Sequence, residues 1–314
     1  MRNYHALLLA LVTACGGSTS TGVDAPVPPA VDAPATDAPA IDAPDPRGPA
    51  TITLAGGANG LLWDAAASTL YLTNNDANAL IRFTDAGGLQ TVGTFPATTA
   101  GISLGDLVKR ADGTILTPSF GFGTQGTLFA IAAGGTSTAL TGLDPARRRI
   151  GLAQDSGGQL YAAYFVGGGG SMPTGGVATV SITGTTATEQ EIAGASTTAG
   201  LKKLVGLVAT PTALFVADQT DKEIHRIAVP GYAVTLVATV PSADLLTILP
   251  NGDLLTGGTG VHRVTQAGAV STIFEGFEQV RGLAYDAALR RLFIIEHSAT
   301  VGVPDKLHVR PLDG

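Results

Sequence analysis

Cysteine is almost absent from this chain. A single thiol, Cys15, among 314 residues excludes an intramolecular disulfide, a Cys-rich zinc site and a dithiol redox pair. Charge is scarce as well. Charged residues make up 14% of the chain, the net charge is −7, and no basic stripe stands out. That argues against nucleic acid, whose affinity comes mainly from neutralised phosphates. Long apolar runs are missing. The one near the start, Ala6 to Val12, is far shorter than the roughly 20 residues a membrane-spanning helix needs. Gly167-Gly168-Gly169-Gly170 is followed by neither Lys-Ser/Thr nor a helical pattern, so it is not a phosphate loop.

What is abundant is small and aliphatic. Gly accounts for 42 residues and apolar residues for 45%. Frequent Gly favours tight turns and suits an all-β repeat. The length accommodates one large all-β domain or two ordinary ones.

The head of the chain reads differently from the rest. Residues 1–14 carry Arg2, a short apolar run and small residues before Cys15, the plan of a secretory signal. Leu11-Val12-Thr13-Ala14-Cys15 resembles the bacterial lipoprotein box. That resemblance implies cleavage before Cys15 and acylation of it, and more than one acyl chain gives stable membrane attachment. Residues 15–49 form the next segment, in which Asp-Ala-Pro recurs from Asp24, Asp32, Asp37 and Asp42. Regular Pro blocks helix and keeps the backbone extended, so an extended spacer of roughly 100 Å at about 3.1 Å per residue is expected. Such tracts resemble those of surface lipoproteins of soil-dwelling Gram-negative bacteria. Gly16, rather than Asp, after the Cys implies sorting to the outer membrane. The expectation is an exported protein, anchored there through Cys15 on the periplasmic or cell-surface side.

Residues 50–314 repeat. Modules aligned on their first strands are anchored at Gly60, Gly105, Gly151, Gly206, Asp244 and Gly282, at intervals of 45, 46, 55, 38 and 38 residues. This is the period of a four-stranded propeller blade. Second strands recur as Leu70-Tyr71-Leu72-Thr73-Asn74, Leu160-Tyr161-Ala162-Ala163-Tyr164 and Leu292-Phe293-Ile294-Ile295-Glu296. These near-continuous apolar runs suit strands covered on both faces. Third strands, such as Val261-His262-Arg263-Val264, alternate polar with apolar residues as strands nearer a rim should. The sixth module lacks an outer strand, and Ala50-Thr51-Ile52-Thr53-Leu54-Ala55 resembles the missing piece. The predicted fold is therefore all-β: a six-bladed propeller of four-stranded blades, its ring closed by an N-terminal strand over about residues 50–56. Splitting the long third module, where Gly167 to Gly176 intervenes, would make seven blades. Gly-rich sequence is poor strand, so a loop insertion is expected there. A monomer is expected.

The pattern of Gly, apolar pair, Asp, turn and Leu-Tyr-Leu resembles NHL-repeat and gluconolactonase/regucalcin-like six-bladed propellers. Gly60-Leu61-Leu62-Trp63-Asp64 with Leu70-Tyr71-Leu72 is close to the first-blade signature of the gluconolactonase group. Gly206-Leu207 with Leu214-Phe215-Val216-Ala217-Asp218 fits the general NHL-like blade. The resemblance covers about residues 50–314. It implies a metal-dependent lactonase whose ion is held by a Glu near the start of the first blade, with an Asn and an Asp from later blades. Asn59 stands where that Glu is expected, and no acid lies between Ala50 and Trp63, so the triad is not carried over intact.

Strand starts and ends on one face of a propeller aim at the mouth of its channel, the natural concave site of the fold. Second-strand ends there are Asn74, Ser119, Tyr164, Asp218, Gly258 and Glu296. First-strand starts add Asn59, Asp106, Arg149, Lys203, Asp244 and Arg281. The expected binding face is thus Asn59, Asn74, Asp106, Tyr164, Asp218, Asp244 and Glu296. Asp106, Asp218, Asp244 and Glu296 are the candidate ligands for calcium or another divalent cation, which prefers oxygen, with Asn74 as a neutral one. The alternative is that these side chains cap turns. His297, after Glu296, is the candidate general acid or base. His225, His262 and His308 fall on third strands and are expected to pack there. Arg147-Arg148-Arg149 is expected to be a solvated loop, and Trp63 to be inter-blade core. Two functions follow: a lipid-anchored propeller binding a small molecule, glycan or protein at the channel mouth, or a divalent-metal-dependent lactonase or related hydrolase. A structural or assembly role is a third.

Overall fold

The computed structural model describes residues 48–96, 103–121, 125–167, 172–194 and 200–313. The expected signal, Cys15 and almost all of the Asp-Ala-Pro segment lie outside the described residues. Within them the chain forms strands joined by turns, with no helix.

The strands make six antiparallel four-stranded sheets. Blade 1 runs Leu61–Asp64, Thr69–Asn74, Ala79–Thr84 and Gly88–Thr94 from inner to outer strand. Blade 2 is Val108–Lys109, Ile115–Ser119, Thr127–Ile131 and Ser137–Ala139. Blade 3 is Arg148–Gln154, Leu160–Val166, Thr174–Thr183 and Thr186–Gly194. Blade 4 is Leu204–Ala209, Ala213–Asp218, Glu223–Ala228 and Val234–Thr239. Blade 5 is Leu246–Ile248, Leu254–Thr256, Val261–Val264 and Val270–Phe274. Blade 6 takes Val280–Asp286, Arg291–Glu296 and Lys306–Pro311, and Ala50–Thr53 pairs onto the last of these, Ala50 opposite Val309 and Thr53 opposite Lys306.

The second strands are the most buried elements, as their apolar runs require. Apolar clusters span neighbouring blades rather than filling single ones. One joins Leu70 and Leu72 of blade 1 to Phe293 and Ile295 of blade 6. Trp63 stacks on Phe293 with ring centroids 5.3 Å apart across that boundary, which is the inter-blade role expected of it.

Glycine explains why the blades come so close at the centre. A Cβ on Gly151 would lie 2.8 Å from Leu207 N, on Gly206 2.6 Å from Asp244 O, and on Gly257 2.5 Å from Val280 O. Gly60, Gly105 and Gly282 press still closer on Gly105 O, Ile150 O and Asn59 O. These six residues place one side-chain-free contact at each junction around the six blades. Five are repeat anchors read from the sequence. At the fifth module the anchor is Asp244, and Gly257, just past the second strand of that blade, supplies the space instead.

The Gly-rich part of the third module corrects the loop expectation. Gly175 and Gly176 are strand, opposite Phe165 and Tyr164. Crowding is the reason both are glycine. A Cβ at Gly176 would meet Tyr164 Oη at 2.5 Å, and one at Gly175 would meet the Lys202 carbonyl. Residues 168–171 of that stretch lie outside the described residues.

Candidate binding site at the channel mouth

The six inner strands surround a channel with two openings. The wider chamber, about 650 Å³, is lined by backbone and side chains from all six inner strands, including Trp63, Lys109, Gln154 and Asp106. The opposite opening, here the upper mouth, lies where the inner strands begin. It is a cavity of about 160 Å³ lined by Asn59, Phe120, Arg148, Ile150, Phe165, Lys203, Val205, Gln219, Asp244, Leu245, Gln279 and Arg281.

Three cations and one carboxyl face this small space, on a chain whose net charge is −7. Arg281 reaches across the boundary between blades 6 and 1. Its Nη1 donates to Asn59 Oδ1 at 2.9 Å and its Nη2 to Gln279 Oε1 at 3.3 Å. Its Nε is buried without a partner. Asn59 is oriented by its own donation to Leu104 O at 2.8 Å, which turns its oxygen toward Arg281. The Arg148 guanidinium lies 4.8 Å above the Phe165 ring, and Lys203 Nζ is 5.7 Å from the same ring. Burial pulls the pKa of both Arg148 and Lys203 down. A shared aromatic face compensates two crowded cations without adding negative charge.

Asp244 is the one acid. Its Oδ1 accepts from Leu245 N at 3.0 Å and its Oδ2 from Gln219 Nε2 at 3.2 Å. Burial pushes the carboxyl up to about 6, against the lowering pull of Arg281, the Leu245 N–H and Lys203.

The remaining residues picked from sequence are placed elsewhere. Asp106 and Asp244 each lie two residues ahead of their inner strand, but Asp106 lines the wide chamber. Burial raises its pKa well above the usual carboxylate range, and only the Leu107 N–H, at 2.9 Å, lowers it. A folded-state pKa above the unfolded one means the native protein binds more protons, so stability falls as pH rises through that interval. Asp106→Asn is therefore expected to raise stability at neutral pH and to flatten the decline that sets in as pH rises above about 4, the range of an unfolded carboxylate, measured by urea unfolding. Asp218 caps a turn: it accepts from the N–H groups of Lys202 at 2.7 Å, Lys203 at 3.2 Å and Thr220 at 2.9 Å. Asn74 accepts from Ala77 N at 2.9 Å. For Glu296 burial is the largest influence and acts upward. The Glu278 N–H, His308 and Lys306 outweigh it together and hold the carboxyl below its ordinary value. These acids do not converge, and among the described residues no group of three or more His, Cys, Asp or Glu is placed to hold a metal.

His297 lies in a separate groove of about 490 Å³ between Ala55 and Pro304, sharing no lining residue with the mouth. Its Nδ1 is 3.0 Å from Asp305 Oδ1. Asp305 also receives the N–H groups of Ala58 at 2.8 Å and Ser298 at 3.1 Å, so the pair ties blade 6 to the start of blade 1.

The arginine run corrects a second expectation. Arg149 is fully buried, not solvated, and forks onto Glu189 at 2.5 and 2.6 Å. Tyr164, taken from sequence as a mouth residue, points to the same side and hydrogen-bonds Glu191. The residues beside them, Arg148 and Phe165, face the mouth instead. Successive strand residues point to opposite faces, and a bulge between Arg149 and Leu152 shifts the register of this strand pair. Sequence reading was thus displaced by one residue on both strands. Gln219, just beyond Asp218, and Gln279, ahead of Arg281, carried no sequence signal at all.

No protein-family model matches the chain, and no curated protein matches it. Solved structures do. A gluconolactonase from Xanthomonas campestris superposes with a TM-score of 0.63 at 18% identity, over 84% of this chain and 89% of that one. Regucalcin, a calcium-binding protein from Agrobacterium tumefaciens, gives 0.61 at 16% identity, over 83% and 94%. A protein described as a putative gluconolactonase gives 0.61 at 18% identity, over 86% and 96%. The shared fold is the six-bladed propeller. At such identities the likeness concerns architecture and leaves activity to the site itself.

Proposed function

We propose that the propeller is a binding module that captures a small molecule through a carboxylate, phosphate or similar anionic group at the upper mouth. The observation that carries this is the excess of Arg148, Lys203 and Arg281 over the single carboxyl of Asp244, with Arg281 Nε buried and unpartnered. Guanidinium groups recognise planar anions through paired, charge-assisted hydrogen bonds. A cavity of about 160 Å³ has room for the volume of about five waters. It therefore accepts an anionic head and leaves the rest of a larger ligand outside. Calorimetric titration with sulfate, phosphate and D-gluconate tests this. Binding by the wild type and a loss of about 10–100-fold in affinity for Arg281→Gln are expected, the usual range for a hydrogen bond to a charged group. Calcium binding with no anion binding would overturn the proposal.

Likeness to gluconolactonases favours a second reading, a metal-dependent lactonase. The donor set at the mouth does not fit the metal: three cations repel a divalent ion, and the one acid near them is held toward its protonated form by burial. Hydrolysis of D-glucono-δ-lactone, with and without added calcium, separates the two readings.

The sequence of the head supports a location for this capture. In the proposal, lipid on Cys15 holds the propeller at the outer membrane and residues 16–49 keep it off the surface. Cys15→Ser is expected to move the protein from the membrane pellet to the soluble fraction.

A further inference from the structure

The arrangement around Asp244 bears on which form of the mouth takes up the ligand, and it rests on the anion-binding reading above. Asp244 is the internal anion of the site. Lys203 approaches from blade 4, Arg281 from blade 6 and Arg148 from blade 3, and among the described residues no other titratable side chain lines the cavity. Gln219 donates to Oδ2 and the Leu245 N–H to Oδ1. These two neutral donors hold the carboxylate, and Arg281 and Lys203 balance its charge across the cavity. An anionic ligand entering that cavity takes the place Asp244 fills electrostatically. In so small a volume the two charges oppose each other, because like charges that share a site disfavour one another's ionisation.

We infer that the upper mouth takes up an anion and a proton together, the proton going to the Asp244 carboxyl as the anion settles on Arg148, Lys203 and Arg281. Ligand and Asp244 compete for the cations of one cavity, Arg281 and Lys203 foremost. Protonation removes one competitor, and the surplus positive charge of the cavity rises from two to three, which suits a compact dianion better than a monoanion. The carboxyl is poised for this, since burial already raises it to about 6. By linkage, an anion that binds the protonated form more tightly must raise that value further. Each unit of that rise is a tenfold gain in affinity on going from high to low pH. The site therefore loads in mildly acidic surroundings and releases as pH rises.

Sulfate and D-gluconate are suitable probes because neither titrates between pH 5.5 and 8. Calorimetry in two buffers of different ionisation enthalpy counts protons directly. Uptake approaching one proton per sulfate at pH 7, and affinity about tenfold weaker at pH 7.5 than at pH 6, are expected. Asp244→Asn should bind sulfate without proton uptake and without pH dependence, and about tenfold or more tighter at pH 7.5 than the wild type does. Gln219→Leu, which removes the side-chain donor that lowers Asp244, should move the midpoint of the pH profile upward while leaving the carboxyl in place. Sulfate bound with no proton uptake, and equally well by Asp244→Asn at pH 7.5, would overturn this inference and leave the anion-binding reading intact. Failure of the wild type to bind either probe at pH 5.5 would overturn both.

Discussion

Replacing Arg149 by Met is expected to destabilise the propeller by about 3–5 kcal/mol, the usual cost of breaking a buried ion pair from one side. The guanidinium is fully buried. Its Nε and Nη2 pair with the two oxygens of Glu189 at 2.5 and 2.6 Å. Its Nη1 donates to the carbonyls of Gly126 at 3.2 Å and of Asp144 and Arg147 at 3.0 Å. Gly126 and Asp144 flank strands of blade 2, whereas Arg149 and Glu189 belong to blade 3, so one side chain closes the gap between two blades. Met fills much of the volume but leaves Glu189 charged and several carbonyls without a donor. Arg147, at 3.2 Å from Glu189, keeps part of the carboxylate satisfied, which places the expected loss toward the lower end. The double variant Arg149→Met/Glu189→Leu should recover part of the loss, because it removes the stranded charge as well. Urea unfolding of wild type, single and double variants measures this. A single-variant change under about 1 kcal/mol would show that the pair is not the inter-blade latch described here. Arg291, which is buried between Asp85 of blade 1 and Asp286 of blade 6 at 2.8 and 3.0 Å, makes a comparable bridge at the junction where the two ends of the propeller sequence meet.

The second large effect is expected from a single methyl group. Gly60→Ala places a Cβ against the backbone of Gly105 and Asp106. Neither neighbour is a flexible side chain that can swing away, so blades 1 and 2 must separate. Overpacking of this kind costs about 1–3 kcal/mol or more, and for a domain of this size roughly 2–4 °C of Tm accompanies each kcal/mol. Gly134→Ala is the control. Nothing lies within 4 Å of its Cβ and its backbone is not left-handed, so no more than a few tenths of a kcal/mol is expected. The same crowding reaches the site. Asn59, next to Gly60, orients Arg281, so Gly60→Ala should weaken sulfate binding even where the protein stays folded. Equal Tm values for the two variants would remove close backbone approach as the reason for glycine at the repeat anchors.

Much of the architecture is legible in one dimension. Apolar runs at Leu70, Leu160 and Leu292, turns between them and a period of about 40 residues specify four-stranded blades, because a strand covered on both faces needs no polar alternation. The Gly anchors were visible as a regularity, although their purpose was not. That they are points of backbone contact between neighbouring blades depends on which carbonyl sits opposite, and the opposing carbonyl belongs to the next module. The number of blades also survived the Gly-rich interruption, but for a reason the residues did not display: Gly175 and Gly176 pair opposite Phe165 and Tyr164, where Tyr164 and the Lys202 carbonyl leave room for glycine alone.

The site was legible only as a set of positions. Asn59, Lys203, Asp244 and Arg281 line the mouth because they begin inner strands, and a strand start is set by local pattern. Arg148 was missed because a bulge between Arg149 and Leu152 adds one residue to the inner strand, and a shift of one exchanges the two faces; Phe165 is the residue opposite Arg148 on the partner strand. Neighbouring residues of one run thus have opposite fates: Arg149 locks two blades together while Arg148 faces the ligand space. Which acids act as turn caps was likewise a tertiary matter, since Asp218 is saturated by backbone N–H groups that a list of residue types cannot position. The chain's own order of residues determines a ring of blades with polar ends. Only the folded arrangement decides that the mouth is cationic, because net charge sums over the whole chain whereas a cavity gathers charges from four blades into about 160 Å³.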